Sequence, residues 1–165
     1  MKNFKIGYVG LTHLGLTYLT SSVIKNHDVI GYDLDKKKIE NFNNNNFEIT
    51  EKSLIKKLQL HKDKIFYTDK IKNLNKCHLI FVSCDIKTNF NNKSDYTQLN
   101  KYLKLIRQTI SFKIPVIILS QVKPGFTRSL KLEKFKLYYQ VETLIFGKAL
   151  KQAINPKRII VGKKN

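Results

Sequence analysis

A chain of 165 residues and 19.3 kDa with 42% apolar side chains can build one sizeable core and is too short for several domains of ordinary size. Its 26% charged residues, 11% aromatics, seven glycines and three prolines exclude wholesale disorder and fibrous or collagen-like structure. The 31 basic residues against 12 acidic ones leave a net charge of +19, yet arginine is confined to Arg107, Arg128 and Arg158 and the lysines spread over every polar face, which reads as compositional drift toward Lys, Asn and Ile and not as a base-reading surface.

Taken in chain order, Lys5 to Val9 is a short apolar run ending at Gly10. Thr12 then opens a segment with Leu16, Leu19 and Val23 at helical spacing. Asp28 to Asp33 reads as a second strand with an acidic end, and Lys36 to Phe42 as a helix, which completes a βαβ unit and its following helix. The Asn43–Asn46 tract is expected to be a loop, since asparagine favours turns and left-handed backbone. Thr50 is placed to cap a helix carrying Leu54, Ile55 and Leu58, and Ile65 to Tyr67 reads as a strand.

His78 to Cys84 is a near-continuous apolar strand, as expected at the centre of a parallel sheet covered on both faces. Asp85 to Lys93 reads as a polar loop. Ser94 or Asp95 is placed to cap an amphipathic helix with Leu99, Tyr102, Leu103, Ile106 and Ile110 on its inner face. Pro115 to Ser120 reads as another buried strand, followed by a turn at Lys123-Pro124-Gly125 and a short helix over Thr127 to Leu132. Lys136 to Gln140, Leu144 to Ala153 and Arg158 to Val161 read as strand, helix and strand. This alternation predicts an α/β fold: one Rossmann-type, doubly wound, mostly parallel sheet with helices on both faces, over residues 1–165.

No apolar run approaches the roughly 20 residues that span a bilayer, and the N-terminus lacks the pattern of a signal peptide, so a cytoplasmic protein with no membrane partner is expected. Cys77 and Cys84 lack metal spacing and suit no disulfide framework, and no metal is expected at His13, His27, His61 or His78. Cys84, ending a buried strand, reads as core packing and not as a nucleophile.

The chemistry sits after the first strand. Gly10-Leu11-Thr12-His13-Leu14-Gly15 matches G-x-G-x-x-G with Thr12 at the middle glycine. In such a turn the first glycine permits the bend, the middle one lets backbone approach a pyrophosphate, and the last packs helix on strand. The phosphate rests on the helix N-terminus, where unpaired N–H groups favour an anion. Thr12 narrows that approach, although its hydroxyl can donate to a phosphate oxygen. Asp33 follows Gly10 by 23 positions, near the offset at which a carboxylate takes hydrogen bonds from an adenosine ribose. That favours NAD over NADP, with Lys36, Lys37 and Lys38 weakening the preference. An S-adenosylmethionine site would share these features.

The segments Lys5–Leu16 (K-I-G-Y-V-G-L-T-H-L-G-L) and Asp28–Ile39 (D-V-I-G-Y-D-L-D-K-K-K-I) resemble the start of the UDP-glucose/GDP-mannose dehydrogenase family. Leu79–Thr88, Leu119–Phe126 (L-S-Q-V-K-P-G-F) and Asn155–Gly162 (N-P-K-R-I-I-V-G) resemble later family segments in the same order, so the similarity covers nearly the whole chain. The resemblance implies an NAD-binding domain of an enzyme that oxidises the C6 alcohol of a nucleotide sugar to a carboxylate in two hydride transfers. It implies Gly10, Leu11, Thr12, His13, Leu14 and Gly15 at the pyrophosphate, Asp33 and Lys38 at the adenosine ribose, and Ser83 and Gln121 toward the nicotinamide. Glu142 corresponds to a family glutamate that positions water and substrate, and is the candidate catalytic residue.

Departures from the family pattern are Gln121 for a threonine, Lys87 and Val141 for prolines, and Phe146 for a second glutamate. The resemblance also implies that the family's thiol nucleophile, catalytic lysine and asparagine, central helix and sugar-nucleotide-binding domain have no counterpart within these residues. A second chain carrying them is then an expected partner, with a nucleotide sugar as substrate. The competing expectation is a non-catalytic module that binds NAD(H) or a polyanion.

Overall fold

The computed structural model describes residues 2–88, 90–132, 134–145 and 147–163. β1 (Lys5–Val9), α1 (His13–Ile24), β2 (Asp28–Tyr32), α2 (Lys36–Asn43), α3 (Lys52–Leu60), β3 (Ile65–Thr68) and β4 (Leu79–Val82) follow the order expected from the hydrophobic periodicity. β5 (Lys87–Thr88) and β6 (Ser94–Asp95) form a small antiparallel ladder. α4 (Thr97–Thr109), β7 (Val116–Ile118), α5 (Phe126–Ser129), β8 (Leu137–Gln140), α6 (Ala149–Ile154) and β9 (Val161–Lys163) complete the chain.

Among the described residues the main sheet has seven strands in the order β3-β2-β1-β4-β7-β8-β9. Every neighbouring pair is parallel except β8 and β9. The fold is therefore the doubly wound α/β architecture expected from the sequence. Alternate residues of the central strands face opposite cores. Ile6, Tyr8 and Val29 pack with Leu16, Leu19 and Val23 of α1, whereas Val9, Ile30 and Tyr32 pack with Leu99, Tyr102, Leu103 and Ile106 of α4.

α1 is buried on most of its circumference, from Leu14 to Val23. Its small polar residues make this tolerable because each hydroxyl has a partner: Thr17 donates to His13 O at 2.8 Å, Thr20 to Leu16 O at 2.6 Å, and Ser21 to Ala153 O of α6 at 2.8 Å. Ser22 shares a 2.8 Å hydrogen bond with the Tyr8 phenol under the sheet. Among the described residues no helix is long and apolar enough to cross a membrane.

Several boundaries differ from the sequence expectation for identifiable reasons. The helix expected over Leu144 to Ala153 is confined to Ala149–Ile154; Gly147, with φ of +76°, precedes it in the left-handed region. The last strand lies at Val161–Lys163 instead of Arg158–Val161 and runs antiparallel, with Gln140 opposite Val161 and Val141 N donating to Ile160 O at 3.0 Å. Ser94 and Asp95 pair with Lys87 and Thr88 before α4 begins, and Asp95 accepts from Thr97 N at 2.8 Å. Glu51, not Thr50, directly precedes α3, and the short helix is Phe126–Ser129 instead of Thr127–Leu132. In the Asn43–Asn46 tract, Asn45 takes φ of +58°, the left-handed turn its residue type favours.

The contact that joins the first helix to the sheet is tight. An added Cβ on Gly15 would lie 2.2 Å from Gly10 O and 2.8 Å from Ser83 Oγ. At Gly162 the nearest atom would be Tyr139 O at 4.0 Å. Urea unfolding is expected to show Gly15→Ala losing at least about 3 kcal/mol, because backbone must move to admit the methyl, while Gly162→Ala changes stability by less than about 1 kcal/mol.

Candidate functional site

β1 has β2 on one side and β4 on the other, so the chain reverses its direction of winding between β1 and β4. The carboxyl ends of strands at such a switch point border a crevice suited to a ligand. Gly10 leaves β1 with φ of +87°, and a Cβ there would lie 2.7 Å from Cys84 Cβ and 2.9 Å from Cys84 N. Only glycine allows this turn and this approach to the loop after β4. Thr12 occupies the N-cap of α1 with extended backbone.

The Thr12 hydroxyl does not lie free for a phosphate, as the sequence suggested. It donates to Ser83 O at 3.2 Å and accepts from Asp85 N at 3.2 Å, bridging the glycine turn to the β4 loop. Ser83 is fully buried, and its hydroxyl donates to Gly10 O at 3.1 Å and Val9 O at 3.3 Å. Both hydroxyls thus hold the two loops in register. Leu11 and Leu14 bury their side chains beneath the turn. His13 Nε2 lies 2.9 Å from Glu51 Oε2, joining α1 to the segment before α3.

Asp33 is 1% exposed and is the most heavily partnered side chain of the site. Its Oδ2 accepts from Leu11 N at 2.9 Å and from Lys38 Nζ at 3.1 Å; its Oδ1 accepts from Asp35 N at 3.1 Å and from the Tyr102 phenol at 3.0 Å. Four donors fill the roughly four acceptor positions of a carboxylate. Among these, Lys38 alone belongs to a side chain reaching solvent, at 30% exposed. Tyr102 is fully buried, and burial followed by the Asp33 charge pushes its phenol far above the usual tyrosine range. The helical spacing placed Tyr102 in the core but carried no sign of this hydrogen bond.

Two clefts flank the turn. One, of about 450 Å³, is lined by Asp33, Lys38, Asp85, Lys87, Gln98 and Lys101. The other, of about 320 Å³, is lined by His13, Leu14, Asp85, Gln121, Glu142 and Ile145. In the second, Gln121 Nε2 donates to Glu142 Oε2 at 2.8 Å, and Leu144 N donates to Glu142 Oε1. Glu142 and Gln121 are therefore brought together, while Phe146 lies outside the described residues. Asp85 borders both clefts, and sequence reading missed it because it falls in a polar loop. Partial burial raises its carboxyl above the ordinary value and Glu142 adds to this, against the lowering effects of Thr12, His13 and Lys38. A third cleft, about 360 Å³, lies beside His13 between α1, α2 and the asparagine loop.

Both cysteines are buried, Cys84 as the core residue expected from the sequence. Cys77 is pushed up to about 12 by burial, against a smaller lowering by Lys5, and Cys84 is raised by burial with Ser120 as a 3.5 Å neighbour. Among the described residues no group of three His, Cys, Asp or Glu side chains could hold a metal ion.

Comparison with known proteins bears on this arrangement. The model of the UDP-glucose/GDP-mannose dehydrogenase family, NAD binding domain, matches residues 4–165. A UDP-glucose 6-dehydrogenase of Campylobacter jejuni is 31% identical over 166 residues, covering 97% of this chain and 40% of the relative. A UDP-N-acetyl-D-mannosamine dehydrogenase of Methanocaldococcus jannaschii is 29% identical over 168 residues, covering 96% and 39%. The chain thus spans about two fifths of the length of these curated relatives. The solved UDP-glucose dehydrogenase of Pyrobaculum islandicum superposes with a TM-score of 0.88 at 20% identity, over 99% of this chain and 41% of that one.

Two outcomes follow from the geometry. Asp33→Asn places an amide N–H₂ among four donors, so it is expected to lower stability by about 2–4 kcal/mol in denaturant melts, with unchanged stability contradicting the hub role. Native Cys77 and Cys84 are expected to react with iodoacetamide about 100-fold more slowly at mildly alkaline pH than in the urea-unfolded chain; equal rates would show an accessible thiolate.

Proposed function

The chain belongs to the UDP-glucose/GDP-mannose dehydrogenase family, and from that premise we propose that it binds NAD across the two clefts as the coenzyme domain of an enzyme oxidising the C6 alcohol of a nucleotide sugar to a carboxylate. The carrying observation is the joint placement of the Gly10 turn, the start of α1 and the Asp33 carboxylate along one crevice.

The residues present fit the coenzyme. A Cβ at Gly10 would collide with the opposite loop and one at Gly15 with the Gly10 carbonyl, so the two glycines keep the turn in the form that opens the helix N-terminus to an anion. The backbone of Thr12, His13, Leu14 and Gly15 would face the diphosphate, since the first N–H groups of a helix lack partners within it. Asp33 and Lys38 would hold the adenosine ribose. Because Asp33 is already saturated, a ribose hydroxyl would join it by displacing Lys38, the donor with access to solvent. Gln121 and Glu142 would border the nicotinamide end, with Ser83 bracing the turn from below. NAD supplies a hydride acceptor when bound.

Glu142 is read here as a positioning group for substrate and water beside Gln121. Burial and raised acidity constants keep Cys77 and Cys84 out of nucleophilic roles. Thiol chemistry is therefore not assigned to either cysteine.

Titration calorimetry with NAD tests this reading. One NAD per chain is expected, accompanied by a rise in thermal midpoint that grows with NAD concentration as mass action requires. No NAD response, together with steeply salt-dependent retention on heparin, would contradict it and favour a polyanion-binding module.

A further inference from the structure

We propose that Asp85 sets the affinity of the coenzyme site, weakening the hold on the dinucleotide's diphosphate by placing a carboxylate on the wall shared by the two clefts. The inference rests on the NAD-binding reading above and adds to it an element that opposes binding.

Among the described residues, Asp85 is the one lining residue common to the cleft holding Asp33 and Lys38 and the cleft holding Gln121 and Glu142. A ligand that reaches from one to the other across their shared wall passes it. Its position is fixed from two directions: it follows Cys84, against whose backbone Gly10 is packed, and its N–H donates to the Thr12 hydroxyl at 3.2 Å. Thr12 is the N-cap of α1, so the residue that bears this carboxylate is tied to the positive end of the helix. The same field that would attract a diphosphate already acts on a resident anion.

Charged groups of both signs act on Asp85. His13 from α1 and Lys38 from α2 favour its ionised form, while Glu142 after β8 opposes it. An ionised Asp85 beside an incoming diphosphate is a like-charge contact, and in a partly desolvated crevice such contacts cost more than in bulk water. The replacement of the middle glycine by Thr12 belongs to the same arrangement, because the threonine hydroxyl is what anchors the Asp85 backbone.

The test compares the wild-type chain with Asp85→Asn, which keeps the shape and the backbone hydrogen bond, by calorimetric titration of NAD at low and high ionic strength. Thermal midpoints establish that both are folded, and Asp85→Ser serves if the amide disturbs the loop. Asn is expected to tighten NAD binding about tenfold at low salt, with the gain falling to about twofold at high salt because charge repulsion is screened. A purely structural role for Asp85 would give weaker binding at both salt levels. Wild-type binding with no gain, or with a loss, in the variant overturns this proposal while leaving the NAD reading intact. Absence of NAD binding by both proteins overturns the NAD reading and this proposal together, whereas binding by the variant alone supports both.

Discussion

The site depends on one buried carboxylate. Asp33 directly follows β2, yet it touches the glycine turn through Leu11 N, the start of α2 through Asp35 N and Lys38, and α4 on the opposite face of the sheet through Tyr102. A buried charge is costly unless its partners are complete, and here both oxygens carry two donors. The consequence is mechanical as well as energetic. Helices on opposite faces of the sheet are registered through a single group, so the mouth of the crevice is held by the atoms that would contact a ribose.

The second constraint is the closeness of two loops. Gly10 lies against Cys84, Gly15 against the Gly10 carbonyl, and the hydroxyls of Thr12 and Ser83 fasten the remaining backbone across the gap. Where a glycine in the middle of the turn would leave backbone bare, Thr12 exchanges that openness for a tie to the β4 loop. In the proposed coenzyme site, approach to the turn and rigidity of the loop are therefore set by the same residue. The carboxylates of Asp85 and Glu142 line the same crevice, and they are the groups that the proposed diphosphate would meet there.

Most of the sheet was legible because buried parallel strands carry continuous apolar runs, as in Leu79–Val82 and Val116–Ile118, and α4 shows its inner stripe plainly. The glycine turn and Asp33 were legible because their spacing follows from the geometry of a βαβ unit. What was hidden depends on contacts between residues distant in sequence. Tyr102 meets Asp33 from 69 positions away, and Thr12 meets Asp85 from 73. Neither has a local signature. The late helix and last strand were misplaced because Gly147 and the antiparallel pairing of Val161 set their limits, and single-residue periodicity over five or six positions cannot reveal either.

Amide NMR of the labelled chain during an NAD titration is the most direct test of where the diphosphate docks. Saturable shifts centred on the N–H groups from Thr12 to Gly15, with smaller ones at Asp33, Lys38 and Asp85, are the predicted result. Shifts confined to lysine-rich surface away from the β1–α1 turn, or unchanged signals at Thr12 through Gly15, would contradict a coenzyme seated at the start of α1.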